Sequence, residues 1–366
     1  MCDGYDVVVC THCGAGFADG IPSQGEMDSY YSDRSKYSHD FSDGTGSPWD
    51  LKRFEETADQ IIPHLKSRDS RILDIGCATG GLLSIFARRG FTNAIGVDPS
   101  PACAAMASRL HRVRVQVATF ADLSNWDERF DLIMMLGVLE HVRETKDAVS
   151  SASRLLRPGG LLYCAVPNVD GLDGCPNAPY QQFSIEHVNF FSRYSLKRLM
   201  FECGMAETRD WTWTVEWREG VWEPIVSGLY THGKSPMPAF DSTTDIALQR
   251  YLAFSEKGDR KIITTIDSLI LSGEPVIIWG AGTLARRLLA NTRFADVNIV
   301  AFVDSNPHFQ NTQLSGRPIW HPKQISNRRE TILICSISFI KEISQTVRIR
   351  HRLPNRIVSL IGEELT

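Results

Sequence analysis

Residues 71–82 read RILDIGCATGGL, and the reading of this stretch decides the fold. An apolar run, Ile72 to Ile75, passes into Gly76-Cys77-Ala78-Thr79-Gly80-Gly81 and then into helix-forming residues. A strand that feeds a helix through such a turn brings backbone N–H groups up to a ligand. A nucleoside-triphosphate loop would close on Lys and Ser or Thr, and Gly80-Gly81-Leu82 supplies neither. A dinucleotide fingerprint is G-x-G-x-x-G, and Gly76-Cys77-Ala78 lacks its second glycine. What is present is Asp74-x-Gly76-x-x-x-Gly80-Gly81. Roughly twenty residues on, GVDPS ends the next apolar run with Asp98, placed to accept both hydroxyls of a ribose.

Outward from that turn the chain alternates. LKRFEETADQIIPHL (51–65) has helical spacing, and NAIGVD, RVQVAT, FDLIMML and LLYCAVP read as short strands. LLSIFARRG and KDAVSSASRLLRPGG read as helices between them. Strands alternating with helices imply a parallel sheet covered on both faces, with its ligand at the carboxyl ends of the strands. A second strand–turn–helix begins at PVIIWGAGTLARRLL (275–289), followed by NIVAFVDSNP, TILICSIS and RIVSLIG. The expected fold is α/β, a Rossmann-like domain with a second, smaller Rossmann-like unit. Its parts are a cysteine-containing segment over 1–50, the first domain over 51–210, a helical connecting arm over 211–272 and the second unit over 273–366.

LDIGCATGG, GVDPS, FDLIMMLGVLEHV and LLRPGGLLYCAVPN, in that order, resemble successive motifs of class I S-adenosylmethionine-dependent methyltransferases. The resemblance spans 71 to about 205, and implies S-adenosylmethionine as the cofactor. It puts Asp74, Gly76, Cys77, Ala78 and Gly80 along the methionine part of the donor and Asp98 with Pro99 at the ribose. Thr119 and Phe120 then border the adenine, and Leu136 and His141 close the pocket. An acceptor that is a hydroxyl or a carbon acid must also lose a proton. QQFSIEHVNFFSRYSLKRLMFECG follows the fifth strand, so its head lies over the pocket mouth. Glu186 and His187 there make an acid–imidazole pair suited to a base near neutral pH, or else His187 ties the loop to the core.

The order of parts resembles sugar C-methyltransferases that act on nucleotide-linked deoxysugars, and related enzymes of polysaccharide and natural-product biosynthesis. Those enzymes join an N-terminal cysteine zinc module, the donor domain and a C-terminal Rossmann-like unit. The resemblance makes His187 the catalytic base, Glu186 its orienting partner and Tyr37 an acceptor-side residue. It makes the partner a small carbohydrate-like acceptor, nucleotide-linked, with C- and O-methylation both open. VVVCTHCGAGF gives Cys10-x-x-Cys13-Gly, half of a four-ligand zinc site; Cys2, His12 and His39 are the nearby substitutes. Half a site binds metal poorly, so a knuckle that has lost its Zn2+ is the expectation.

Gly280-x-Gly282-x-x-Ala285, with Asp304 after the next run, fits half of a dinucleotide site. Contact with the acceptor or its nucleotide ranks first for this unit, scaffold second and NAD third. Arg286 and Arg287 follow the turn and suit a diphosphate. An NAD-dependent oxidoreductase or epimerase, and a non-catalytic adaptor, are the competing readings. Lys+Arg 39 against Asp+Glu 43 gives a net charge of −4 over 366 residues, which argues against a nucleic-acid partner. No apolar run approaches the ~20 residues that cross a bilayer, and Met1 to Val9 carry no basic leader. Nine scattered cysteines fit reduced thiols, so the expected place is the cytoplasm, with a homo-oligomer left open.

Overall fold

The computed structural model describes residues 4–34, 47–184 and 186–365. They form two units, one of Met1–Cys175 with Gln182–Gln249 and one of Pro176–Gln181 with Arg250–Thr366.

In the first unit Asp6–Val9 (β1) and Gly16–Asp19 (β2) make a hairpin, followed by the helix Gln24–Arg34 (α1). Pro48–Ile61 (α2) starts under Ser47, whose hydroxyl accepts the Asp50 N–H, with Pro48 pre-set in the first turn. Alternation then takes over: Ile72–Ile75 (β3), Gly81–Arg88 (α3), Ala94–Asp98 (β4), Pro101–His111 (α4), Val115–Val117 (β5) and Phe120–Leu123 (α5). Phe130–Leu136 (β6), Thr145–Arg154 (α6) and Leu156–Pro167 (β7) continue it. Asn189–Phe190 (β8), Arg193–Glu202 (α7), Met205–Arg218 (β9) and Val221–His232 (β10) complete the unit.

The main sheet has the order β5-β4-β3-β6-β7-β10-β9. Its first five strands are parallel, and β10 runs antiparallel to both β7 and β9. Both faces are covered. Leu73, Ile75, Ile133 and Met135 enter one core, while Ile72, Leu132 and Met134 enter the other with Ile61, Leu83 and Phe86. Burial of successive residues on opposite faces is what a doubly covered strand requires, at about 1.5–3 kcal/mol for each large side chain.

The expected helical arm over 211–272 is only partly helix. Residues 205–232 are the β9–β10 hairpin, which joins the main sheet beyond β7. The sequence WTWTVEW (211–217) has a period of two, and its Trp211, Trp213, Val215 and Trp217 turn to one face against Ile225 and Leu229. Helix starts at Thr244–Ser272 (α8), which begins in the first unit and continues into the second. KDAVSSASRLLRPGG also divides: α6 ends at Arg154 and β7 begins at Leu156, because Pro158 and the two glycines after it cannot prolong a helix.

The second unit holds Val276–Trp279 (β11), Thr283–Asn291 (α9), Ile299–Val303 (β12), Gln313–Leu314 (β13) and Arg317–Trp320 (β14). Thr331–Ile334 (β15), Ile340–Gln345 (α10), Ile357–Ser359 (β16) and Glu364–Leu365 (β17) follow. Its sheet order is β13-β14-β12-β11-β15-β16-β17, parallel through the middle with an antiparallel strand at each edge. This is the smaller Rossmann-like unit that the second glycine turn announces. Among the described residues no helix is long and apolar enough to cross a membrane.

Candidate active site

The turn after β3 sits at the carboxyl edge of the main sheet. Gly76 adopts φ +72°, and a Cβ there would lie 2.6 Å from Val138 Cγ2, so glycine is required on both counts. The Gly76 and Cys77 N–H groups donate to the Val97 carbonyl (2.8 and 3.1 Å), and Gly80 N–H donates to the Cys77 carbonyl (2.8 Å). Ala78 N–H donates to Asp98 Oδ2 (2.9 Å), and Ser100 N–H to Asp98 Oδ1 (2.9 Å). Four N–H groups of the turn are therefore spent inside the protein. The sequence pattern suggests N–H groups offered to a ligand; the parallel partner β4, the Asp98 carboxylate and the turn's own Cys77 carbonyl take these four first.

Three ionisable groups lie under this turn. Asp74, on β3, is buried, and its carboxyl is pushed up to about 8 by burial and then by the Asp98 charge. Asp98 is also raised, burial outweighing the two backbone N–H groups and the Cys103 hydrogen bond that favour its charged form. Cys77 is buried in the α2–α3 core, and its thiol is pushed well above its ordinary range by the same burial and the two carboxylates. Pro99 leads into α4, which Ser100 caps through the Cys103 N–H (3.3 Å). Thr119 and Asp122 close a capping box around Phe120 at the start of α5. Leu136 is the last residue of β6 and leads to the turn that bears His141.

The loop before β8 is stitched to that turn. Val188 N–H donates to the Glu140 carbonyl (2.8 Å), and the Asn189 amide donates to the carbonyls of Leu139 and Val142. His141 Nδ1 lies 2.8 Å from the Glu186 carbonyl and 3.1 Å from the Tyr31 hydroxyl. A carbonyl only accepts, so Nδ1 carries a hydrogen. His141 and His187 stand edge to face with ring centroids 5.0 Å apart. Helix α1 brings Tyr30 and Tyr31 here: the Tyr30 hydroxyl donates to Glu186 Oε1 (2.8 Å). Burial, then the Glu186 and Glu140 charges, keep the Tyr31 phenol protonated far above its ordinary range.

His187 Nδ1 contacts Gln182 Oε1 at 2.8 Å. Glu186, the orienting partner expected from the sequence, accepts from Tyr30. Tyr37, Cys2 and His39 lie outside the described residues. Gln182, Tyr30 and Tyr31 carry no motif of their own, and only the fold brings them to the histidines.

Cys10 and Cys13 occupy the β1–β2 turn, closed by Gly14 N–H donating to the Cys10 carbonyl (2.8 Å). The backbone N–H groups of His12 and Cys13 hold the Cys10 thiol below its usual range, while burial raises Cys13. Among the described residues no third His, Cys, Asp or Glu joins them as a metal ligand. In the second unit Gly280 has φ +112° and approaches the Cys335 carbonyl, where a Cβ would lie at 3.0 Å. Ala281 N–H donates to Asp304 Oδ2 (2.8 Å) and Asn306 N–H to Asp304 Oδ1 (2.8 Å), the same double clamp that Asp98 makes. Arg286 stacks its guanidinium over Phe309, and Arg287 pairs with Asp259 at 2.7 Å.

Residues 49–206 match a family described as a methyltransferase domain, and residues 273–357 match one described as C2185-like, N-terminal. A ubiquinone biosynthesis O-methyltransferase of Alkalilimnicola ehrlichii is 41% identical over 108 residues, covering 28% of this chain and 42% of that protein. The enzyme of the same description from Agrobacterium fabrum is 37% identical over 103 residues, covering 27% and 41%. The chain thus spans about two fifths of the length of these curated relatives. Magnesium protoporphyrin IX methyltransferase from Synechocystis, solved with bound S-adenosylmethionine, aligns with TM-score 0.41 at 13% identity, covering 59% of this chain and 99% of that one. The match to a methyltransferase domain covers residues 49–206, less than half of this chain.

Proposed function

We propose that this protein transfers the methyl group of S-adenosylmethionine to a small, carbohydrate-like, nucleotide-linked acceptor, with His187 taking the proton the acceptor gives up. The observation that carries the donor half is the hydrogen-bond accounting at Gly76–Gly80. A turn built for pyrophosphate presents its N–H groups to the ligand, whereas here four of them point inward. What Asp98 adds for a ligand is acceptor character. Asp98 takes one backbone N–H on each oxygen and a side-chain hydrogen bond from Cys103, which leaves one of its four lone pairs for a ribose hydroxyl. A cation above the turn would also favour the ionised form of Asp74. The donor, once bound, supplies a methyl group on a positively charged sulfur that departs as a neutral thioether. The transfer is an in-line displacement, so the chain's main tasks are to align the two partners and to remove the acceptor proton.

Support for a nucleotide-linked acceptor comes from the second unit, whose Gly280 turn and Asp304 repeat the form of a nucleoside site. The relatives named for ubiquinone biosynthesis favour a second reading, methylation of a hydroxyl on another small acceptor, and His187 serves either. Calorimetric titration with S-adenosylhomocysteine and with NADH, then labelled donor against a panel of nucleotide-linked sugars and phenols, tests the proposal. Binding of the homocysteine nucleoside and turnover with a nucleotide sugar are expected. Tight NADH binding without the nucleoside would overturn the reading.

A further inference from the structure

We infer that Gln182 and Glu223 are positioning residues that decide which nitrogen of His187 carries the hydrogen. The inference builds on His187 as the base proposed above, and it rests on a chain of hydrogen bonds whose direction is fixed at its far end. Trp217 Nε1–H, on β9, donates to Glu223 Oε2 on β10 at 3.0 Å. An indole nitrogen can only donate. Glu223 Oε1 accepts from the Gln182 side-chain amide. Glu223 accepts at both oxygens, as an ionised carboxylate does, and it is 7% exposed.

With its NH2 spent on Glu223, the Gln182 amide must turn its oxygen to His187 Nδ1, 2.8 Å away. That oxygen only accepts, so Nδ1 holds the hydrogen and the lone pair is left on Nε2. Gln182 is itself 5% exposed, so reversing its amide would set its oxygen against the Glu223 carboxylate, two buried acceptors face to face. The relay thus sets which nitrogen of the neutral ring carries the hydrogen.

Long-range 1H–15N correlation spectra of the full chain labelled with 15N-histidine read the tautomer directly, and a His187→Asn variant assigns the signal. The Nδ1–H tautomer is expected for the unsubstituted protein. In Glu223→Gln, of nearly equal size, the new amide cannot accept from both Trp217 and Gln182. Turning its oxygen to the indole reverses the Gln182 amide and presents NH2 to His187 Nδ1. The tautomer ratio should then move toward Nε2–H by about tenfold, the worth of one reversed hydrogen bond. Adding Trp217→Phe removes the indole donor and lets an aromatic face receive the spare NH2, so the double variant should return toward Nδ1–H. An Nε2–H tautomer in the unsubstituted protein, or a ratio indifferent to both variants, would overturn the relay. None of these outcomes needs an acceptor. They stand apart from the methyl-transfer proposal, which labelled turnover tests.

Discussion

The two aspartate clamps permit one experiment with a built-in control. Asp98 and Asp304 each accept two backbone N–H groups, at 2.9 Å in the first unit and 2.8 Å in the second. Asparagine offers one oxygen and one NH2 in the same space, so in Asp98→Asn or Asp304→Asn one backbone N–H faces a donor. A hydrogen bond to a charged acceptor contributes about 1.5–3 kcal/mol, and an unmet N–H adds to its loss. Relief of carboxylate burial offsets part of this, which leaves a net cost of about 1–3 kcal/mol. For a unit of this size that lowers Tm by roughly 2–4 °C per kcal/mol. Both variants should show it.

Only Asp98→Asn should also weaken S-adenosylhomocysteine, by about 10- to 100-fold, because the ribose loses a charged acceptor. Calorimetric titration beside thermal unfolding reads both effects. Unchanged nucleoside affinity in Asp98→Asn would refute the placement of the ribose. Equal loss in Asp304→Asn would move the adenosyl group to the other turn.

His187→Ala should cut turnover by about 10²–10⁴-fold while S-adenosylhomocysteine affinity stays within about twofold; full activity in a labelled-donor assay would demote the residue to a loop anchor. Asp74 should make stability fall as pH rises. Its folded-state carboxyl is raised to about 8, first by burial and then by Asp98, while in the unfolded chain it titrates near its ordinary range. Its contribution is thus complete below about pH 4 and is lost on the way to about pH 8, and comparing Tm across that window with Asp74→Asn should reveal a flatter profile in the variant. Dialysis against a strong chelator should leave Tm unchanged, since Cys10 and Cys13 have no third ligand among the described residues; a fall of several degrees would mean that a metal completes the turn.

Much of this was legible because local pattern and tertiary role coincide. Ile72–Gly81 is a buried strand, a left-handed glycine and a helix start in ten residues, and Asp98 ends the adjacent parallel strand. The hairpin over 205–232 was not legible as part of the sheet: its tryptophans suggest an aromatic arm unless the intervening Thr212, Thr214 and Glu216 are weighed as the opposite face. The partner of His187 was hidden for another reason. Glu186 is adjacent in sequence, but in an irregular loop adjacency does not set direction, and the residue that meets the ring is Gln182. Glu223 lies 41 positions from Gln182, and nothing local ties them. Tyr30 and Tyr31 lie in a helix whose approach to the histidines depends on contacts such as Arg143 holding the carbonyls of Ile21 and Pro22.

The reversed direction of β10 has an evolutionary corollary. Parallel strands deliver their final residues to the reactive rim, whereas a strand running the other way delivers its opening ones: Ile225 lies beside Pro167, and Glu223 just upstream. The acid at the root of the relay therefore hangs three residues beyond the Glu219–Gly220 bend, with Gly220 at φ +73°. Lengthening that bend need not disturb a single core contact. Shifting the strand by one position would swap Glu223 for Trp222 or Pro224 and leave the imidazole without its anchor, so selection should police the bend's length more strictly than its composition.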